Sequence, residues 1–329
     1  MDAERVAALR LAKLRALAPG TEAAGESLAF GPVLRDGADA WAMIDDPAGL
    51  VGAVVWALRG RVARLELVVE PDEATDPVEI ARRAQVLGEP EIRVSEATEG
   101  GPIPVAPPAP VATVAPPVAP PEAESLLAVL REHGVDPVVE DDAIIGEIAG
   151  LEVARIDLGG FEPVLSVGVG QFDRDLNDML VDAQRTEPTV QLATAARAVR
   201  GHRRPGAAPH PLNRLRRERW LRSVILADPG TVGCDRLVAV PPLPVDGLRA
   251  PSPAPALETG DTSTLVVCSA GVDPSLALTA ATLRQRYAPD ARLVLVIPVA
   301  DDYPVTRELA AALRGSVEVQ PIAAPWLGS

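Results

Sequence analysis

The sequence predicts an α/β protein in which two βαβαβ units, each with a parallel sheet, flank a middle α+β domain. Three observations carry this. Short apolar runs alternate with helical stretches of about a dozen residues near both ends of the chain. A proline-rich stretch follows the first of these units. The middle reads differently, as a helix, consecutive strands and further helices.

With 329 residues, the chain has room for two or three domains of ordinary size. Apolar residues make up 47% of it, enough to bury a sizeable core and to exclude wholesale disorder. Aromatics are only 3%, so the cores must be aliphatic. No apolar run reaches the roughly 18 residues of a membrane span, and Asp2 and Glu4 do not fit a signal peptide. Cys234 and Cys268 lack metal-ligand or redox spacing, as expected of a cytoplasmic protein with no membrane partner. Lys13 is the only lysine among 31 basic residues, a usage resembling that of a GC-rich, actinobacterial genome.

In the first unit (1–100), residues 4–17 form an amphipathic helix ended by Pro19-Gly20. Strands are expected at 41–44, 64–70 and 91–94, and helices at 48–58 and 77–87. Asp46 is the expected N-cap of the first crossover helix, with Pro47 in its first turn. Residues 101–122 include nine prolines and predict an extended tether, because proline fixes φ and removes a backbone donor. In the middle domain (123–240), a helix at 125–133 precedes an extended stretch at 137–140, a turn at Asp141-Asp142 and strands at 143–148, 151–158 and 163–170, with Gly159-Gly160 turning the last pair. Helices follow at 172–180, 190–200 and 212–226. A second proline-rich connection (241–261) leads to the last unit (262–329). There, strands at 264–268, 292–297 and 317–320 alternate with helices at 274–287 and 305–314. The tether allows residues 30–95 to dock beside 264–322.

The order of helix, antiparallel strands and helix around GEIAGLEVARIDL and VLSVGVGQ resembles the core of the PD-(D/E)XK, or restriction-endonuclease-like, superfamily. The resemblance covers roughly 60 residues. It implies a fold that holds Mg²⁺ on acidic residues and activates a water for phosphodiester cleavage. Glu152 or Asp157 would stand as the first acid, and Asp173, just after the strands, as a further ligand. The family's Glu-x-Lys is absent: VLSVGVGQ contains neither carboxylate nor lysine. Mg²⁺ is therefore expected only if the chain is a nuclease, and no other cofactor is implied. Capping of the next helix accounts for Asp173 equally well.

Residues 200–222 hold eight arginines and one acid, +7 in a chain whose formal charge is −15. Arg203, Arg204, Arg214, Arg216, Arg217 and Arg219, with Trp220 to stack on a base, are the candidate contacts to nucleic acid or another anionic ligand. Against this, the arginines at 214–222 do not share one helical face, a distribution suited to pairing with carboxylates on neighbouring segments or on a protein partner. At the ends of the outer strands, residues 268–273 offer a third location, where open α/β sheets bind ligands. No G-x-G-x-x-G or P-loop accompanies them, and Cys268 reads as a buried, inert thiol. The leading expectation is thus a non-catalytic binding or scaffolding protein acting through the arginine-rich segment. The alternatives are a metal-dependent nuclease and a small-molecule sensor.

Overall fold

A computed structural model describes residues 3–18, 23–71, 75–109, 112–169, 187–244, 252–260 and 263–327. The chain is α/β. It divides into two compact units, Met1–Ala112 with Pro274–Gln285 and Tyr303–Val317, and Thr113–Asp273 with Arg286–Asp302 and Glu318–Ser329. The last 70 residues are therefore shared between the units.

The first unit is built on a six-stranded sheet with strands in chain order: β1 (Ala24–Leu28), β2 (Gly31–Asp36), β3 (Asp39–Ile44), β4 (Arg64–Val69), β5 (Glu91–Thr98) and β6 (Gly101–Pro104). Strands β3, β4 and β5 run parallel, and the others pair antiparallel. The expected parallel core is present, but the sheet is mixed. Sequence reasoning did not anticipate β1 or β2; the β1 sequence, AGESL, is largely exposed and has no apolar alternation. Nor did it expect β6, which takes up the start of the proline-rich stretch. Pro102 and Pro104 are tolerated there because β6 is an edge strand.

Helix α1 (Ala3–Leu17) lays Leu14 and Leu17 on Leu34, Met43 and Val68. Helix α2 (Gly49–Arg59) starts later than expected. Asp46 accepts from the Ala48 amide at 2.7 Å, forming a turn before the helix instead of capping it. In α3 (Pro77–Ala84) the cap is Asp76, which accepts from Val78 N at 2.8 Å. That helix ends early because Leu87 bridges to Leu313, while Gly88 N donates to Ala312 O at 2.7 Å. Within the same unit α2 packs on α8 (Pro304–Ala312), with Arg59 bonded to Glu308 at 3.0 Å.

The second unit contains two sheets. Strands β7 (Asp136–Val139), β8 (Ala143–Ile148), β9 (Leu151–Asp157) and β10 (Val164–Val167) form an antiparallel meander. Helices α4 (Glu124–Glu132) and α5 (Pro188–His202) share its aliphatic core, in which Leu127, Leu130, Leu192, Ala196 and Val199 meet Ile144, Val153 and Ile156. The second sheet has the order β11 (Leu237–Ala239), β12 (Ala254–Glu258), β13 (Thr264–Cys268), β14 (Arg292–Pro298) and β15 (Val317–Ile322). Strand β12 is fully buried in the stretch that sequence reasoning assigned to a proline-rich connection. Pro255 is accommodated because its missing N–H faces Val240, where β11 ends. Strands β13 and β14 run parallel, and helix α7 (Leu276–Tyr287), most of which belongs to the first unit, lies between them in the chain.

Helix α6 (Arg217–Ala227) touches both sheets of this unit. Leu221 and Ile225, one turn apart, pack on Ala256, Val266, Cys268 and Val294 of the five-stranded sheet. The β8–β9 turn meets the start of the helix on another side. Gly150, at φ +73°, brings its Cα so close that an added Cβ would fall inside contact distance of the Arg219 carbonyl and the Trp220 amide.

Candidate functional site

The arginine-rich segment begins at the end of α5 and continues into α6, through a loop that includes a single 3₁₀ turn (Pro211–Arg214). A left-handed residue, Arg216 at φ 44°, precedes the helix. Three of the predicted contacts point inward. Arg203 is 4% exposed, and its Nη1 donates to the carbonyls of Leu212 (3.1 Å) and Leu215 (2.7 Å). Its Nη2 reaches the carbonyl of Arg216 at 3.3 Å. One guanidinium thus satisfies three loop carbonyls and holds the left-handed turn in place. Burial pulls this guanidinium down to about 10, against the favourable charges of Glu147 and Glu218. It remains a cation at neutral pH, stacked 4.5 Å from the centre of the Trp220 ring.

Trp220 is 2% exposed, closed off by Arg203 on one side and tilted against Trp326 at 5.9 Å. Its ring is a core element, so the expected base-stacking surface is absent at this position. Arg219 donates to Glu147 at 2.6 Å and to Glu140 at 2.8 Å. Arg222, fully buried, donates through Nη2 to both Glu147 oxygens at 3.0 Å. Burial pushes the Glu147 carboxyl up, but the charges of Arg222 and Arg219 outweigh it and hold the group below the ordinary glutamate value. Burial likewise opposes the charge on Arg219, and Glu147 and Glu140 more than restore it.

The remaining candidates face outward. Arg204, Arg214 and Arg216 are exposed, and Arg217 is half-buried, donating to Asn213 O at 3.0 Å and lying 5.0 Å from the Trp326 ring centre. The side chains of Arg204 and Arg214 make no hydrogen bond or ion pair with a described residue, and that of Arg216 has only a loose contact to Glu218 at 3.9 Å. All four lie on or beside the loop fixed by Arg203, and the stacked rings of His202 and His210 lie in the same segment, 3.7 Å apart.

Sequence reasoning missed Glu140 and Glu147 as partners, and Arg200, which donates to the carbonyls of His133 and Gly134. A signal for Glu147 was present: it is the one charged residue in the buried strand AIIGEI, and a carboxylate there requires cations.

Glu152 and Asp157 are the two alternatives for the first acid of a nuclease-like site. Glu152 and Asp157 are five positions apart on β9, hence on opposite faces of the strand and about 17 Å apart along it. Asp157 accepts from Arg155 Nε at 2.7 Å. Asp173 lies outside the described residues, as does the helix expected at 172–180. Among the described residues no group of three or more His, Cys, Asp or Glu side chains is placed to hold a metal. At the strand ends, burial pushes the Cys268 thiol up to about 12, the proximity of Arg222 notwithstanding. Asp301 Oδ2 accepts from the Gly271 amide at 2.7 Å. No described helix is long and apolar enough to cross a membrane. No family model matches the chain, and neither a curated protein nor a solved structure is detectably similar to it.

Proposed function

We propose that the chain is a non-catalytic binding or scaffolding protein that presents a rigid basic loop to nucleic acid or another phosphate-bearing ligand. The observation that carries this reading is the Arg203 guanidinium on three carbonyls of the loop. The clamp removes conformational entropy from the loop before any ligand arrives, and leaves Arg204, Arg214 and Arg216 in solvent. The net charge of −15 repels polyanions at long range, so contact is expected to be short-ranged and strongly salt-dependent.

The test is a titration of labelled single- and double-stranded DNA and RNA across a salt series. The wild type is compared with a variant carrying Arg204→Ser, Arg214→Ser and Arg216→Ser. Binding with a steep salt slope, lost in a variant whose circular dichroism and unfolding midpoint are unchanged, supports the proposal. Absence of binding to all four probes at low salt overturns it for nucleic acid, and inorganic polyphosphate then serves as the remaining phosphate-bearing probe.

A further inference from the structure

A groove of about 770 Å³ in the second unit is lined by every residue of β7 and every residue of β11. Consecutive strand residues point to opposite faces, so a cavity touching all of them runs along the strand edges. Both strands are terminal in their sheets. The ladder phase follows from the flanking bonds. Thr259 N donates to Arg236 O at 3.1 Å and Val240 N to Pro255 O at 3.3 Å, so Arg236, Val238 and Val240 are the residues bonded to β12. The N–H and C=O groups of Leu237 and Ala239 therefore point the other way, into the groove. By the same reasoning, Glu140 N on Ala143 O at 2.8 Å turns the backbone of Val139 and the carbonyl of Pro137 outward from β7. None of these groups has a partner among the described residues.

Two unpaired edges, supplying donors and acceptors at strand spacing, match one chemistry: the backbone of an extended peptide. The rest of the groove fits it. Val138, Leu226 and Pro117 make apolar walls for alternate side chains, and Asp136 supplies a carboxylate at one end, with Arg131 and Arg236 also in the lining. We propose that this groove binds an extended peptide segment of another protein by strand addition to β11, with a basic side chain of the peptide opposite Asp136. Proline at 137 supports the assignment. It removes a donor from the outward side of β7 only, leaving β11 as the complete edge.

The probe is a short fluorescein-labelled peptide alternating valine and threonine around a central lysine. A second peptide has the same side chains but alternate backbone nitrogens methylated. Anisotropy titrations against the full chain should show saturable binding of the first, weakened at least about tenfold by methylation. Replacing the lysine by glutamate should weaken it as well. Ala239→Pro removes an outward N–H without touching the Val238 ladder bonds, and should abolish binding while leaving the urea midpoint in place. Equal affinity for the methylated peptide, or no binding of the first peptide, overturns the proposal. Should Ala239→Pro fail to fold, the two peptides on the wild type still decide it.

Discussion

Arg222 Nη2 lies 3.0 Å from each carboxylate oxygen of Glu147, and both side chains are almost wholly buried. The pair joins a helix packed on the five-stranded sheet to a strand of the four-stranded one. Removing one partner strands a charge away from water. Glu147→Gln is therefore expected to cost about 3–5 kcal/mol, read as a lower urea midpoint at unchanged slope. The surface pair Arg131–Glu124 at 2.9 Å gives the control: Glu124→Gln should change stability by less than about 1 kcal/mol.

The same pair sets an acid limit. Glu147 titrates below its ordinary value of 4.5 in the folded chain. A lowered folded value means that the stabilisation is present in full above the unfolded value and is lost as pH falls through the folded one. Stability should therefore decline as pH drops below about 4.5, and Glu147→Gln should flatten that decline. Denaturant midpoints measured from pH 7 downward on both proteins check it.

Two glycines with nearly equal φ separate strain from crowding. Gly150 (φ +73°) abuts the first turn of α6, whereas Gly206 (φ +70°) has nothing within 4 Å of a built Cβ. Gly206→Ala should cost about 1 kcal/mol from backbone strain alone. Gly150→Ala should cost several times that, because α6 must move, and thermal unfolding of the two variants side by side gives the difference.

Cys234 and Cys268 are both buried, and burial raises both thiols. Neither should react with an aromatic disulfide reagent at pH 8 until denaturant is added. Rapid labelling of Cys268 in the native protein would contradict the inert, strand-end assignment.

How far the sequence reaches depends on where the partners lie. Strands β8 and β13 match their expected limits because each is a short apolar run bounded by turn residues. Strand β1 was hidden by its exposure, and β12 by Pro255, which is tolerated only because β11 stops beside it. The direction of each arginine was not legible at all. Glu147 stands 72 residues from Arg219 and 75 from Arg222, and no local periodicity encodes a contact of that span. What the segment did announce was its charge density. Arginines on several helical faces fit the outcome that Arg219 and Arg222 meet carboxylates while Arg204, Arg214 and Arg216 stay in solvent.

Loosening the loop offers a check on the clamp. Arg203→Met keeps much of the packing on Trp220 but removes three donors, so amide exchange across residues 212–216 should accelerate while the β8–β9 hairpin stays protected.

The division of the segment into an inward structural set and an outward binding set is tested most directly by urea unfolding of two variants. One is Arg222→Met. The other is the outward triple, Arg204→Ser with Arg214→Ser and Arg216→Ser. Arg222→Met should lose about 3 kcal/mol or more, and the outward triple no more than about 1 kcal/mol. Equal destabilisation of the two, or a neutral Arg222→Met, would contradict the account.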